Sequence, residues 1–332
     1  MKAMILAAGF GTRLFPLTID RTKPAVPFLG KPLVGYVAEY LSRFGFDEIV
    51  VNLHHQPESV KKALGDGKAF GVRIDYSIEQ PAILGTAGAL ANARSFLGDS
   101  TFLIVNGKII TDIDITAALE THRSTGAIAT MVLKPNIKRE RFTIVETENG
   151  LVKGFGEMAE PLTEDEIRSP RSAVRDPLMF TGIHIFEPKV FDYIPAKGYS
   201  DIVPSFYRPA LEKGEMIAAH VTDADWYELS TIPRYLDISL AMMGERRVLT
   251  GTGCEIAPGS RIRDSILWDN ITVGREVQLY RTVIADGVTI PEGSHFENAA
   301  VVRAEMVRMC SEIPEKALTG YIQGENYIVP LA

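Results

Sequence analysis

An open α/β domain followed by a short stacked parallel β-helix is the architecture this sequence predicts, and three observations carry it. Strand-like and helix-like segments alternate through the first 135 residues. The first of them, the apolar run Ala3 to Ala7, breaks straight into a glycine-rich loop, as a buried strand of a parallel sheet does. Beyond Gly244 the alternation gives way to a repeat of 17 residues.

After the first strand, Glu48–Leu53, Val72–Ser77, Thr101–Val105 and Ala127–Leu133 read as strands. Amphipathic segments around 34–45, 57–65, 85–97 and 115–124 separate them, which predicts an open, mostly parallel sheet. Right-handed crossovers in such a sheet place a ligand at the carboxyl ends of the strands, where the Gly9–Arg13 loop begins. Residues 142–187 carry shorter β-like pieces, and 201–213 and 233–244 read as helices, with Trp226-Tyr227 just ahead of the second.

The repeat is legible in Ser265-Ile-Leu-Trp-Asp-Asn-Ile271-Thr-Val273-Gly set over Thr282-Val-Ile-Ala-Asp-Gly-Val288-Thr-Ile290-Pro, 17 residues later. Cys254-Glu-Ile256-Ala precedes the series and Ala299-Ala-Val-Val302 begins another turn. Short β segments with Gly or Asp-Gly corners suit a parallel β-helix of about three coils, whose ends need cover from the first domain or another subunit. An irregular antiparallel extension is the alternative. The boundaries expected are 1–244 for the α/β domain, 245–305 for the coils and 306–332 for a tail without functional signal.

Composition narrows the function classes. The 332 residues are 46% hydrophobic and carry a formal charge of −7, with no Lys/Arg block able to track a nucleic-acid backbone. No apolar run reaches membrane-spanning length, and only Lys2 precedes the first strand, so no nucleic-acid or membrane partner and a cytoplasmic location are expected. Two cysteines, Cys254 and Cys310, make neither a disulfide framework nor a cysteine-based zinc site.

The chemistry concentrates in Met4-Ile-Leu-Ala-Ala-Gly9-Phe-Gly11-Thr-Arg13-Leu-Phe-Pro16-Leu-Thr18, followed by Lys23-Pro24. Glycines let backbone N–H groups approach a ligand, consecutive N–H groups form an anion-binding concavity, and Arg13 can clasp phosphate oxygens bidentately. The loop is therefore suited to a polyphosphate. Leu14 stands where a dinucleotide fingerprint needs its third glycine, and no Gly-Lys-Ser/Thr of a P-loop occurs.

The whole string resembles the signature of the sugar-1-phosphate nucleotidyltransferases. That resemblance implies a Rossmann-like mixed sheet and a left-handed, hexapeptide-like β-helix. It implies an enzyme that joins a sugar-1-phosphate to a nucleoside triphosphate and releases pyrophosphate, with both substrates or an NDP-sugar as small-molecule partners. Arg13 and Lys23 become the catalytic charge neutralisers, and Ala7, Ala8, Gly9, Gly11 and Thr12 the phosphate cradle. The segment Glu79-Gln-Pro-Ala-Ile-Leu84-Gly85-Thr86-Ala87-Gly88 resembles the family's base and ribose contact, with Glu79, or backbone near Leu84 and Gly85, reading the base edge and Thr86 available as a helix cap. Phe180-Thr181-Gly182-Ile-His184 resembles its sugar-side strand, Asn106, counted among the nucleotide contacts, precedes its metal position, and Glu157 belongs to its sugar-phosphate motif.

Three positions depart from that pattern. Lys108 stands where the family has a metal-binding Asp, Glu228 where it has a second Asp, and Met158 where it has the sugar-phosphate lysine. Mg²⁺ wants carboxylate oxygens, and a protonated lysine cannot ligate it; Glu228 can. The Lys108 ammonium could instead hold phosphates as a point charge, and Lys153 or Arg175 could replace the charge missing at Met158. Two readings follow: an active nucleotidyltransferase with Mg²⁺, leaning to GTP and mannose-1-phosphate because of the β-helix, or a weakened relative that binds nucleotide as a sensor. A short β-helix with exposed coil ends also predicts a homo-oligomer.

Overall fold

The computed structural model describes residues 1–160 and 176–331. The chain forms two compact units, each assembled from separated stretches. The first comprises Met1–Ala8, Val37–His54 and Asp66–Trp226, the second Gly9–Tyr36, His55–Gly65 and Tyr227–Ala332.

Among the described residues the first unit is built on a nine-stranded sheet: β1 (Lys2–Leu6), β2 (Glu48–Leu53), β3 (Arg73–Ile78), β4 (Phe102–Asn106), β5 (Ala129–Pro135), β6 (Thr143–Glu148), β7 (Leu151–Met158), β8 (Leu178–Phe186) and β9 (Ile217–Val221). They pair in the order β3-β2-β1-β4-β8-β5-β9-β7-β6. The first four are mutually parallel, as the helical crossovers between them require. Strand β8 then runs antiparallel to both β4 and β5, so the sheet is mixed and the mostly parallel pattern holds only for its first half. The hairpin β6–β7 supplies the antiparallel far edge. It turns at Asn149-Gly150, both in the left-handed region with φ of 51° and 76°, the chemistry a two-residue hairpin loop demands.

The strands are apolar for a physical reason. Met4, Val50, Phe102, Ile104, Met131 and Phe186 are all at most 3% exposed and share one cluster with Leu90, Phe206 and Tyr207. The helix Ile115–Thr125 starts at Asp114, whose carboxylate accepts from the N–H groups of Thr116 and Ala117 at 2.8 and 3.3 Å, and stops at Gly126 with φ 61°.

In the second unit the 17-residue repeat appears directly as strand register. Strands β10 (Val248–Thr250), β11 (Glu255–Ile256), β12 (Arg261–Arg263), β13 (Ser265–Leu267), β14 (Thr272–Val273), β15 (Gln278–Ile284), β16 (Thr289–Ile290) and β17 (His295–Arg303) stack in parallel. Glu255 pairs with Thr272 and Thr272 with Thr289. Side chains repeat the spacing: Asp269 accepts from Thr252 N–H, and Asp286 from Asp269 N–H, each 17 residues along. The antiparallel alternative is thereby excluded for the coils. It survives only at the end, where β19 (Asn326–Pro330) pairs antiparallel with β17 at the edge of the last coil and β18 (Tyr321–Gln323) pairs antiparallel with β19.

This unit also holds the loop that follows β1. The Tyr235 hydroxyl donates to Pro27 O at 2.6 Å and accepts from Trp268 Nε1 at 3.1 Å, tying residues 9–36 to the helix Ile232–Met243 and to the coils. Arg21 packs over the Trp268 ring at 5.2 Å and pairs with Asp286 at 2.6 Å. Burial alone would raise the Asp20 carboxyl, but the hydrogen bond and charge of Arg21 hold it below its ordinary value.

Candidate functional site

In the first unit the parallel strands β1, β2, β3 and β4 end on one edge of the sheet, and the sequence-predicted residues there fall into two clusters. One is a buried chain of hydrogen bonds. Asn52, the penultimate residue of β2, accepts from Ala7 N–H at 2.7 Å and donates through Nδ2 to Glu79 Oε1 at 2.6 Å. Glu79 Oε2 accepts from Leu84 N–H at 2.7 Å. Asn52 is 3% exposed and Glu79 is fully buried. Both oxygens of Glu79 thus face protein donors, and its side chain turns inward, which corrects the expectation that it reads a base edge.

The glycines of this segment serve packing. A Cβ on Gly85, at φ 72°, would lie 2.6 Å from Ser200 O, and one on Gly88 would lie 2.5 Å from Gly198 O. Ser200 O accepts from Ala87 and Gly88 N–H groups at the start of the helix Gly85–Asn92. Thr86 does not cap that helix as anticipated. Its hydroxyl accepts from Ile202 N–H at 2.8 Å, because the 198–202 loop already fills the helix terminus.

The second cluster surrounds Asn106 at the end of β4. Gly107 N–H donates to Leu6 O at 2.9 Å, and a Cβ there would lie 2.9 Å from the same oxygen, so Lys108 is carried on a turn pressed against the end of β1. On β8, Gly182 adopts φ 86° within a register shift between Phe180 and His184. A Cβ on it would lie 2.2 Å from Asn106 Nδ2. Only glycine permits that approach. Thr181 is 1% exposed and donates to Val132 O at 2.7 Å, while its own carbonyl accepts from Trp226 Nε1; it fixes the bulge from inside.

His184 is a core residue. It stacks on Phe186 and Tyr207 at 5.2 and 5.7 Å, and burial lowers its pKa to about 3. Glu157 and Met158 end β7, both exposed, with Met158 at 52%. Lys153 is 4.0 Å from Glu148 across the hairpin, and Arg175 lies outside the described residues.

In the second unit, Gly9 and Phe10 are exposed and Gly11, at φ 68°, opens the short helical turn Thr12–Leu14. A Cβ on Gly11 would lie 3.1 Å from Lys23 Cβ and 3.2 Å from Lys23 N, so the fold brings Gly11 and Lys23 together. Arg13 is exposed. Thr12 shares a recess of about 390 Å³ with Glu312, Pro314, Glu315 and Lys316, residues of the tail that carried no signal in the sequence. Glu228 is 8% exposed at the end of the strand Trp226–Glu228.

Of the two carboxylates the family pattern provides for magnesium, one is replaced. Lys108 supplies an ammonium where a carboxylate is needed, which leaves Glu228 as the one expected ligand. Among the described residues no group of three or more His, Cys, Asp or Glu gathers to hold a metal ion.

Sequence reasoning missed Asn52. Its signal was there in the amide that interrupts the apolar run Ile49–Leu53, because a buried amide in a strand needs partners.

A glycine-lined loop leaving a parallel strand, with a lysine packed on it, suits an anionic ligand such as a phosphate. Residues 2–244 match the nucleotidyl transferase family model, and residues 241–307 match the model described as GlmU-like, C-terminal hexapeptide. A UTP-glucose-1-phosphate uridylyltransferase of Synechocystis sp. is 34% identical, covering 87% of this chain and 76% of the relative. An N-acetylmuramate alpha-1-phosphate uridylyltransferase of Neisseria meningitidis is 35% identical over 70% and 95% of the two chains. A mannose-1-phosphate guanylyltransferase of Mycobacterium tuberculosis is 27% identical over 90% and 83%. Among solved structures, a Bacillus anthracis protein described as a glucose-1-phosphate thymidylyltransferase, in complex with a sucrose, superposes with a TM-score of 0.60 at 25% identity, covering 73% of this chain and 94% of that one. The chain belongs to the nucleotidyl transferase family and is an enzyme of that type, with a hexapeptide-type β-helix at its carboxyl end.

Proposed function

We propose that the protein joins a hexose-1-phosphate to a nucleoside triphosphate, giving an NDP-hexose and pyrophosphate. The observation that carries this reading is the loop Gly9–Arg13, in which Gly11 is packed on Lys23, within a family match spanning residues 2–244. A sugar phosphate oxygen attacks the α-phosphorus, the bond to the β-phosphate oxygen breaks, and pyrophosphate leaves without a covalent enzyme intermediate. The protein's part is positioning and charge neutralisation. Arg13 and Lys23 take the phosphate charge, and the N–H groups from Ala8 to Gly11 and Thr12 hold the oxygens, the Ala7 N–H being committed to Asn52 Oδ1. The segment ending at Leu84 and Gly85 receives the base. Thr181 and Gly182 shape the sugar side, with Glu157 at its rim, and Asn106, pressed against Gly182, lies on the nucleotide side. No step is assigned to a metal.

Relatives named for uridylyl transfer, at 34% and 35% identity, support UTP, and relatives named for guanylyl transfer, at 27% and 33%, support the GTP toward which the β-helix leans. We therefore place UTP with glucose-1-phosphate first and GTP with mannose-1-phosphate second. Product analysis after incubation with an equimolar NTP mixture tests this order: UDP-hexose in excess supports it, and GDP-hexose in excess reverses it. The exposed edge strand β18, with Tyr321 and Ile322 51% and 47% exposed, supports self-association, which sedimentation velocity checks directly.

A further inference from the structure

We infer that Asn52 and Glu79 form a polarity-matched link that registers the base segment on Ala7, the end of β1 from which the chain runs on into the phosphate loop, so that base recognition depends on this buried chain. The inference rests on the nucleotide-binding reading above. It follows from a count of donors and acceptors along one buried chain.

The chain starts at Ala7 N–H, at the root of the phosphate loop, and ends at Leu84 N–H, in the base segment. Both ends are donors. Between them stand one amide and one carboxylate, and the order of bonds is Ala7 N–H to Asn52 Oδ1, Asn52 Nδ2–H to Glu79 Oε1, and Leu84 N–H to Glu79 Oε2. An amide accepts on one side and donates on the other, whereas an ionised carboxylate accepts on both. A chain with donors at both ends is therefore satisfied by one amide and one carboxylate, in either order. Two amides leave one buried donor facing another wherever they are flipped. Two carboxylates place like charges 2.6 Å apart, which is the observed separation of Asn52 Nδ2 and Glu79 Oε1. Asn52 is 3% exposed and Glu79 is fully buried, so water cannot correct a mismatch. Each is a positioning residue: neither side chain is free to touch a nucleotide, yet each holds a backbone N–H of a segment that does.

The rule makes an unusual demand on mutants. Glu79→Gln and Asn52→Asp each break the parity, while the pair Asn52→Asp with Glu79→Gln restores it with the carboxylate moved one residue along. The experiment is isothermal calorimetry of UTP, GTP, dTTP, ATP and CTP against the natural protein, both single variants and the pair, with melting temperatures measured alongside. Each single variant should bind the preferred nucleotide about tenfold more weakly or worse, from one buried donor or charge left unmatched. It should also lose discrimination between bases, and the pair should recover both affinity and discrimination. A single variant too unstable to purify is judged by the pair, which should fold and bind. Single variants indistinguishable from the natural protein, or a pair that regains neither folding nor binding, would overturn the link. So would a pair whose melting temperature recovers while its base discrimination does not, since the bonds would then be structural only. A natural protein that binds none of the five nucleotides would overturn the functional reading as well.

Discussion

Lys108 and Gly182 sit on either side of Asn106, one following it in sequence and the other pressed against its side chain. Lys108 brings a fixed positive charge to the turn after β4. Replacing it by Asp inverts that charge, so nucleotide affinity without divalent ions should fall by about tenfold, and Mg²⁺ should restore activity to this variant far more than it stimulates the natural protein. Initial rates across a Mg²⁺ titration check both statements. Gly182→Ala puts a Cβ 2.2 Å from Asn106 Nδ2 at a φ of 86°, so Asn106 must move and the bulge must strain. A loss of about 1–3 kcal/mol in denaturant unfolding is expected, with a larger rise in KM for the sugar phosphate than for the nucleotide. Residue identity was the most legible layer of this protein: the loop, Lys23 and the departures at Lys108 and Met158 stood in the string itself. Orientation was not. Glu79 looks like a base reader in one dimension, because only the fold reveals that Asn52 and Leu84 N–H occupy both its oxygens.

At the scale of elements, the first half of the sheet was legible because parallel strands buried on both faces are continuous apolar runs, and helical crossovers separate them. The antiparallel half was harder, since β6, β7 and β8 are reached without regular helices among the described residues, and only Asn149-Gly150 announces a turn. Strand β8 carries a pH signature. The His184 ring has a pKa near 6.5 in the unfolded chain and about 3 when folded, owing to burial. Between those values the unfolded chain holds a proton that the folded chain excludes, so this residue's contribution to stability is full above pH 6.5 and is lost as the pH falls toward 3. The slope approaches about 1.4 kcal/mol per pH unit. His184→Phe should flatten the fall in unfolding free energy between pH 6 and about pH 4 relative to the natural protein, as urea titrations at several pH values would report.

Across the whole molecule, the loop that carries the phosphate chemistry shares its compact unit with the β-helix, an association no local pattern announces because more than 200 residues separate Pro27 from Tyr235 and Trp268 in sequence. The 17-residue period made the coils visible, yet the closing hairpin Tyr321–Pro330 escaped notice because its role is to pair an edge that a one-dimensional reading does not show. Tyr235→Phe removes the acceptor of Trp268 Nε1–H and the donor to Pro27 O, and should cost about 1–3 kcal/mol, read as a lower melting temperature. Weaker nucleotide binding should accompany it, because Gly11 and Lys23 belong to the segment so anchored. The central claim is nucleotidyl transfer itself, and pyrophosphate release measures it most directly. UTP, GTP, dTTP, ATP and CTP would each be paired with glucose-1-phosphate, mannose-1-phosphate and N-acetylglucosamine-1-phosphate, with no-acceptor controls. Stoichiometric pyrophosphate and NDP-sugar from at least one pair, strongest with UTP, is the predicted result. Nucleotide binding without pyrophosphate from any pair, in a protein where Lys108→Asp restores turnover, would contradict the account and leave a chain that works by binding alone.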